Sequence, residues 1–302
     1  MSQDDDGHAW ATTSVVRFGP DGSAPGPDAV AREEPLEIQL GGTALAVVMR
    51  TPGHDRELAL GFLRTERVIE SVEQVVSVRH CRHAADPASA DNVVRVVLRE
   101  DVRVDWEALR RHFYASSSCG LCGKATIDNA LAVAPPLEDD AAFHAAWLTS
   151  LPVQLERAQR GFARTGGLHA AALFAPDGSH LVTREDVGRH NAVDKVLGWA
   201  LRHARTSLAG HVLLVSGRVS FEIVQKALAA RIPLVAGVSA PSSLAIEFAE
   251  RARLTLVGFL RGPRFNVYGD VSRVQGATGE RVEADGEAGE RVERVTQRGH
   301  DA

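Results

Sequence analysis

Cysteine is scarce in this chain. Three residues in 302, an odd number, cannot supply the paired framework of a secreted disulfide-rich domain. Long hydrophobic runs are missing too, and none approaches the ~20 apolar residues that a membrane-spanning helix needs. The chain opens on Met1-Ser2-Gln3-Asp4-Asp5-Asp6, without the basic stretch and apolar segment of a secretion signal. Nor is positive charge in excess. A net charge of −5 gives no general attraction to nucleic acid, so an anionic ligand would have to be gripped by a local cluster. These absences predict a cytoplasmic protein with reduced thiols and no nucleic-acid or membrane partner.

What is present is an ordinary globular composition, 44% hydrophobic and 24% charged, long enough for two domains. Residues 1–29 mix Asp, Gly, Pro and Ser and read as a disordered N-terminal tail. Residues 30–112 read as a small α+β domain. Its Leu36–Leu40 and Thr43–Met49 strands flank a Gly41-Gly42 turn, followed by a helix over Arg56–Thr65. Strands are expected at Val75–Arg79, Val93–Leu98 and Val102–Val104. Residues 113–136 hold a thiol loop and a following helix, stopped by Pro135-Pro136. Residues 137–275 alternate helices and strands, which predicts a three-layer α/β/α domain. A helix is expected from Pro152 to Phe162, with further helices at Ser220–Ala230 and Ser242–Ala252. Residues 276–302, with an imperfect Gly-Glu-Arg-Val-Glu repeat, read as a disordered tail.

Reactive groups are concentrated most tightly in Ser116-Ser117-Ser118-Cys119-Gly120-Leu121-Cys122-Gly123-Lys124. A Cys-x-x-Cys pair ahead of a helix N-terminus favours thiolate, because the helix dipole stabilises negative charge there. Such a thiolate can attack a donor persulfide, hold the terminal sulfur and pass it on, with the neighbouring thiol assisting release. Two other readings stay open. Structural zinc would need Cys81 and one of His80, His83 or His169 to complete four ligands, and no second paired-ligand motif exists. A thioredoxin-like dithiol would open a helix inside a β-α-β unit, whereas a loop between two domains precedes this one. Cys81 itself reads as structural or incidental.

In doubly wound sheets, ligands gather beyond the carboxyl ends of strands. Four polar loops are expected there: Arg184–Asn191, Ser216–Ser220, Ser239–Ser243 and Arg261–Arg264. Arg189 and His190 are candidate ligand contacts, with Asn191 placed to cap the next helix. Ser216-Gly217-Arg218-Val219-Ser220 joins an apolar strand to a helix, as a phosphate-binding turn does, although it lacks the ending of a Walker loop. Gly166-Gly167 before His169 permits close backbone approach to a ligand, while a satisfied core histidine is an equal reading of His169.

Taken together, Glu34–Ile38, Met49–Gly53, Leu58–Leu63, Cys119–Gly123, Phe162–Ala171, Glu185–Lys195, Ser216–Arg218 and Phe265–Tyr268 resemble the FdhD family of formate dehydrogenase accessory sulfurtransferases. The resemblance implies a sulfurtransferase that takes a persulfide from a cysteine desulfurase. It would pass the sulfur to a molybdenum bis(molybdopterin guanine dinucleotide) cofactor, bound as substrate, for insertion into formate dehydrogenase. It implies Cys119 as the persulfide carrier, Cys122 as its assistant, and a homodimer with no resident metal. The family's cofactor-binding segment falls on Phe259, Leu260, Arg261, Gly262, Pro263 and Arg264. The larger domain would resemble cytidine deaminases in fold. Deaminase chemistry itself is not expected, because His169-Ala170-Ala171 lacks the proton-shuttling Glu and the thiol pair precedes the histidine. Phe221, where a second serine is expected after Ser220, and Ala236-Gly237-Val238, in place of a more polar strand end, depart from the family pattern. A non-catalytic chaperone for the same cofactor is the competing reading.

Overall fold

The structure is a computed structural model and describes residues 9–81, 91–106, 109, 127–128, 130–132 and 134–276. It begins with a departure from expectation. Within the segment read as a tail, β1 (Trp10–Gly19) and β2 (Gly22–Ala31) pair antiparallel along their whole length. Thr, Val and Phe supply strand propensity on β1. Pro25 and Pro27 are tolerated in β2 because, among the described residues, β1 alone pairs with it, which leaves one edge needing no donor. The ribbon is anchored at its base, where Arg32 N donates to Ala9 O at 2.9 Å and the Arg164 guanidinium lies 5.0 Å from the Trp10 ring centroid.

The small α+β unit follows. β3 (Glu34–Leu40) and β4 (Thr43–Arg50) form the expected hairpin, with Gly41 and Gly42 at φ 60° and 99°. Those left-handed values explain the paired glycines. α1 (Asp55–Thr65) lies over the sheet completed by β5 (Val75–His80) and β6 (Val93–Leu98), in the order β4-β3-β6-β5. Leu36, Ile38, Leu58, Leu63, Val94 and Val96 are fully buried between them. Each contributes about 1.5–3 kcal/mol relative to exposure. Residues 102–105 form no strand, contrary to the reading of Val102–Val104. Positions 127, 128 and 130–132 are helical, and Ile127 and Ala130 are buried against the larger domain.

The larger domain starts with β7 (Phe143–His144), α2 (Ala145–Leu148), α3 (Leu151–Ala158) and α4 (Arg160–Thr165). The expected single helix from Pro152 to Phe162 is therefore broken at Gln159, whose φ −83° and ψ 67° are not helical. Then come β8 (His169–Phe174), β9 (His180–Asp186), α5 (Arg189–Arg202), β10 (Val212–Val215) and α6 (Phe221–Ala229). β11 (Leu234–Gly237), α7 (Ser243–Arg251), β12 (Thr255–Arg261), β13 (Arg264–Gly269) and β14 (Val274–Gln275) complete the chain.

Six strands form one sheet in the order β13-β12-β11-β10-β8-β9, with β10, β11 and β12 parallel and the rest antiparallel to their neighbours. Successive strand residues face opposite layers. Ala171, Leu173, Leu213, Val215 and Val235 pack under α5, α6 and α7, while Ala170, Ala172, Val212, Leu214 and Leu234 meet α2, α3 and β7. The mixed α/β class is the one read from the alternation of apolar segments.

The two units are joined through α1 and α5. A Cβ on Gly61 would stand 1.8 Å from Asp194 O, and one on Gly198 would stand 1.8 Å from Glu57 O. Only glycine allows the backbones to approach so closely. Around this crossing lie the ion pairs Lys195–Asp186 at 2.7 Å, Arg184–Glu57 at 2.6 Å and Lys226–Asp194 at 2.9 Å.

Candidate functional site

Strand direction decides which loops meet. The parallel β10, β11 and β12 end at one edge of the sheet. Because β8 and β13 run the other way, His169 and Arg264 begin at that same edge, and β9 ends there at Asp186. The segments 186–190, 216–220, 238–242 and 259–264 therefore share one rim, as the sequence predicts.

Backbone bonds tie these segments together. Val219 bridges Pro241, its N–H donates to Ala240 O at 3.1 Å, and Ser242 N donates back to Val219 O at 3.0 Å. Phe259 N donates to Ser239 O at 3.1 Å, and Arg261 Nε donates to Val238 O at 2.9 Å. On the other side, Ser216 N donates to Ala170 O and Ala170 N donates to Ser216 Oγ, both at 2.9 Å.

The candidate ligand residues fall into two groups. His169, Arg189, His190 and Arg218 surround the β8–β10 end. Burial, with the charges of Arg189 and Arg218, holds the His169 imidazole below its ordinary range. Burial, then Arg189 and Lys226, pushes His190 down to about 4. Both rings are thus neutral at pH 7. Arg189 Nε is buried and has no partner among the described residues. His190 Nε2 lies 3.5 Å from Ser220 Oγ.

The second group sits on the β12–β13 hairpin, three strand spacings further along, or roughly 14 Å away at ~4.8 Å per strand. Arg261 and Arg264 face each other across a Gly262-Pro263 turn. Phe259 is 46% exposed and adopts φ 55°, at the irregularity between Gly258 and Arg261. Leu260 differs from its neighbours in this segment, being fully buried in the core against α2 and α3.

Arg184–Asn191 is less of a loop than expected. Arg184–Asp186 are strand, Arg189–Asn191 are helix, and only Val187 and Gly188 lie between. Asn191 does not cap α5. Its Nδ2 donates to Met49 O at 2.7 Å and to Asp186 Oδ1 at 3.0 Å, which links the two units.

Cys119 and Cys122 lie outside the described residues. Cys81 sits on the small unit at the end of β5, where an Arg95 guanidinium N–H donates to its Sγ at 3.8 Å. Among the described residues no group of three or more His, Cys, Asp and Glu is placed to hold a metal ion. Sequence reasoning missed a cavity of about 640 Å³ opening beside His169, Ser216 and Gly217, between the sheet edge and the α3–α4 junction. The helix break at Gln159 that shapes it has no signature in composition.

A rim of this kind suits an extended anion. Two cationic clusters offer separate grips, and neutral imidazoles beside one of them can accept or donate a hydrogen bond.

Comparison with known proteins identifies the family. The chain is 51% identical over 251 residues to the sulfur carrier protein FdhD of Mycolicibacterium paratuberculosis, covering 82% of this chain and 92% of that one. It is 49% identical over 274 residues to the sulfur carrier protein FdhD of Mycobacterium tuberculosis, covering 89% and 99%. A crystal structure from Desulfotalea psychrophila, assigned as a formate dehydrogenase accessory protein, superposes with a TM-score of 0.67 at 24% identity, covering 88% of this chain and 99% of that one. The sequence profile of the FdhD/NarQ family matches residues 31–275, and the chain belongs to that family.

Proposed function

We propose that this protein is a cytoplasmic sulfurtransferase, working as a homodimer in the maturation of formate dehydrogenase. Cys119 accepts a persulfide sulfur from a cysteine desulfurase. The sulfur then passes to a molybdenum bis(molybdopterin guanine dinucleotide) cofactor held on the rim as substrate. The reading is supported by family membership together with relatives that are sulfur carrier proteins. The observation that carries it is the rim itself. Arg189 with Arg218, and Arg261 with Arg264, form two cationic groups suited to a ligand with several phosphates.

The sulfur chemistry balances with a desulfurase persulfide as donor and a thiol reductant. A Cys119 thiolate attacks the terminal sulfur of the desulfurase persulfide, forming a new S–S bond and releasing the desulfurase thiolate. In the transfer step Cys122 thiolate attacks Cys119 Sγ. A Cys119–Cys122 disulfide forms, the bond to the terminal sulfur breaks, and sulfide leaves with the electron pair. A thiol reductant then restores both cysteines. The neutral rings of His169 and His190 leave the nearby positive charge to the arginines.

The test is genetic. In a host lacking its own carrier, the wild-type chain restores formate dehydrogenase activity and Cys119→Ala does not. Activity restored by Cys119→Ala would instead establish the chaperone reading, in which the arginines matter and the thiols do not.

A further inference from the structure

The β1–β2 ribbon has two unlike faces. Residues directly opposite each other on antiparallel strands point to the same side, so the register sorts the side chains. Trp10, Val16, Phe18, Pro25, Pro27 and Ala29 stand on one face, whose other positions are Thr, Ser or Ala, and no charged residue is among them. Arg17 and Asp28 stand on the opposite face, joined by an ion pair at 3.1 Å that is half exposed to solvent.

At its base the charge-free face is turned to the body of the protein. The Trp10 ring lies under the Arg164 guanidinium, and a Cβ on Gly167 would meet Ala31 Cβ at 3.4 Å. Further out the same face is bare, with Val16 56% and Phe18 85% exposed. Among the described residues, the ribbon beyond its base makes no hydrogen bond to the body. Its strands are ten residues long, or about 33 Å. A two-stranded hairpin standing alone is marginal in water, so a bare apolar face of this length points to a second surface that covers it.

The small unit presents an apolar patch of its own. In its sheet Leu36 and Ile38 face inward with α1. Val47 and Met49 pair with Glu37 and Pro35 on the other side of the sheet, and are 64% and 49% exposed. The polar groups on that side are already satisfied, since Gln39 Nε2 donates to Glu37 at 2.7 Å and Arg95 Nε donates to Gln39 at 3.1 Å.

We propose that the charge-free face of each ribbon lies across the Val47 and Met49 face of a second copy of this chain, twice over about a twofold axis. Area favours a second copy over an unrelated partner. A ribbon about 33 Å long and roughly 10 Å wide, laid on a foreign protein, removes only roughly 660 Å² from water, the size of a crystal contact. In a twofold dimer the contact occurs twice, and roughly 1,300 Å² falls within the range of stable interfaces. The ribbon face brings no charge into the contact, so none of its groups carries an ionic desolvation cost.

This arrangement rests on the homodimer of the proposed function and names its interface. Analytical ultracentrifugation of the full-length protein at micromolar concentration tests it. Wild type should sediment as a dimer. Val16→Asp and Val47→Arg should each raise the dissociation constant about a hundredfold or more, because a twofold contact counts every substitution twice. Thr13→Lys, on the opposite face of the ribbon, should leave the dimer intact. Mixing Val16→Asp with Val47→Arg should restore a dimer, since one contact is then wild type and the other sets a carboxylate against a guanidinium. An unchanged far-ultraviolet circular dichroism spectrum shows that each variant folds. A monomeric wild type, a dimer of wild-type strength in Val16→Asp or Val47→Arg, dissociation by Thr13→Lys, or no dimer in the mixture overturns the assignment. Sulfur loading of Cys119, measured in the same proteins, reports separately on the carrier function.

Discussion

Lys195 Nζ lies 2.7 Å from Asp186 Oδ2, with the two side chains 1% and 0% exposed. The pair joins the small unit to the rim. Lys195 also donates to Thr51 O at 2.8 Å, and Asp186 accepts from Thr51 N at 3.2 Å and from Gly188 N at 2.8 Å. Gly188 opens α5, which carries Arg189 and His190. The interface between the units and the start of the ligand-facing helix are therefore held by the same two charges.

Removing one of those charges should be severe. Lys195→Met leaves Asp186 buried without its counter-charge, and such a change typically costs about 3–5 kcal/mol. Urea unfolding of the variant should show a midpoint lowered accordingly. A wild-type midpoint would mean that the pair contributes little to joining the units.

The helix crossing makes an independent prediction. Gly61→Ala and Gly198→Ala each place a methyl group 1.8 Å from a backbone oxygen of the other helix. Neither helix can move without disturbing the buried ion pairs, so destabilisation of about 1–3 kcal/mol or more is expected by thermal unfolding. Gly262→Ala serves as a contrast, since its methyl group would meet nothing within 4 Å, at a backbone φ of 56°. Its cost is confined to backbone strain, about 1 kcal/mol.

Protonation of His190 works against the folded state. Its folded value near 4 lies below the ordinary 6.5, so the unfolded chain binds the proton more tightly. Stability contributed by the neutral ring is fully present above pH 6.5 and is lost as the pH falls from there toward 4. Titration of the His190 ring protons by NMR should give a midpoint well below 6.5. His190→Gln should be less sensitive to acid across that window than wild type.

The two arginine clusters should act separately. Arg218→Ala and Arg264→Ala are each expected to weaken binding of a phosphate-rich dinucleotide by about tenfold or more, with a shallower salt dependence. The double variant should lose roughly the product of the two effects, because sites so far apart are nearly additive. Titration calorimetry at two salt concentrations checks both points.

The sheet was legible because its strands are short apolar runs between helices. Val212–Val215 and Leu234–Gly237 are buried along their full length, as strands covered by helices on both faces must be. The rim followed from strand direction. Other features depend on partners that no local pattern names. Gln159 lies in an apparently continuous helical pattern, and only the tertiary position of Glu185 shows why the chain turns there. Gly61 and Gly198 look like weak points in two helices until the helices are crossed. The β1–β2 ribbon was missed because its Gly, Pro and Ser content resembles a tail, and its register becomes visible only when both strands are paired. Leu260 shared a segment with rim arginines but faces the core, because β12 alternates its side chains.

The central claim is that Cys119 carries sulfur, and mass spectrometry of the peptide containing it tests this most directly. After incubation with a cysteine desulfurase and free cysteine, that peptide should gain one sulfur atom, lose it on treatment with a reductant, and show no gain in Cys119→Ala. An unmodified Cys119 peptide from a desulfurase that loads other acceptors in parallel would contradict the account.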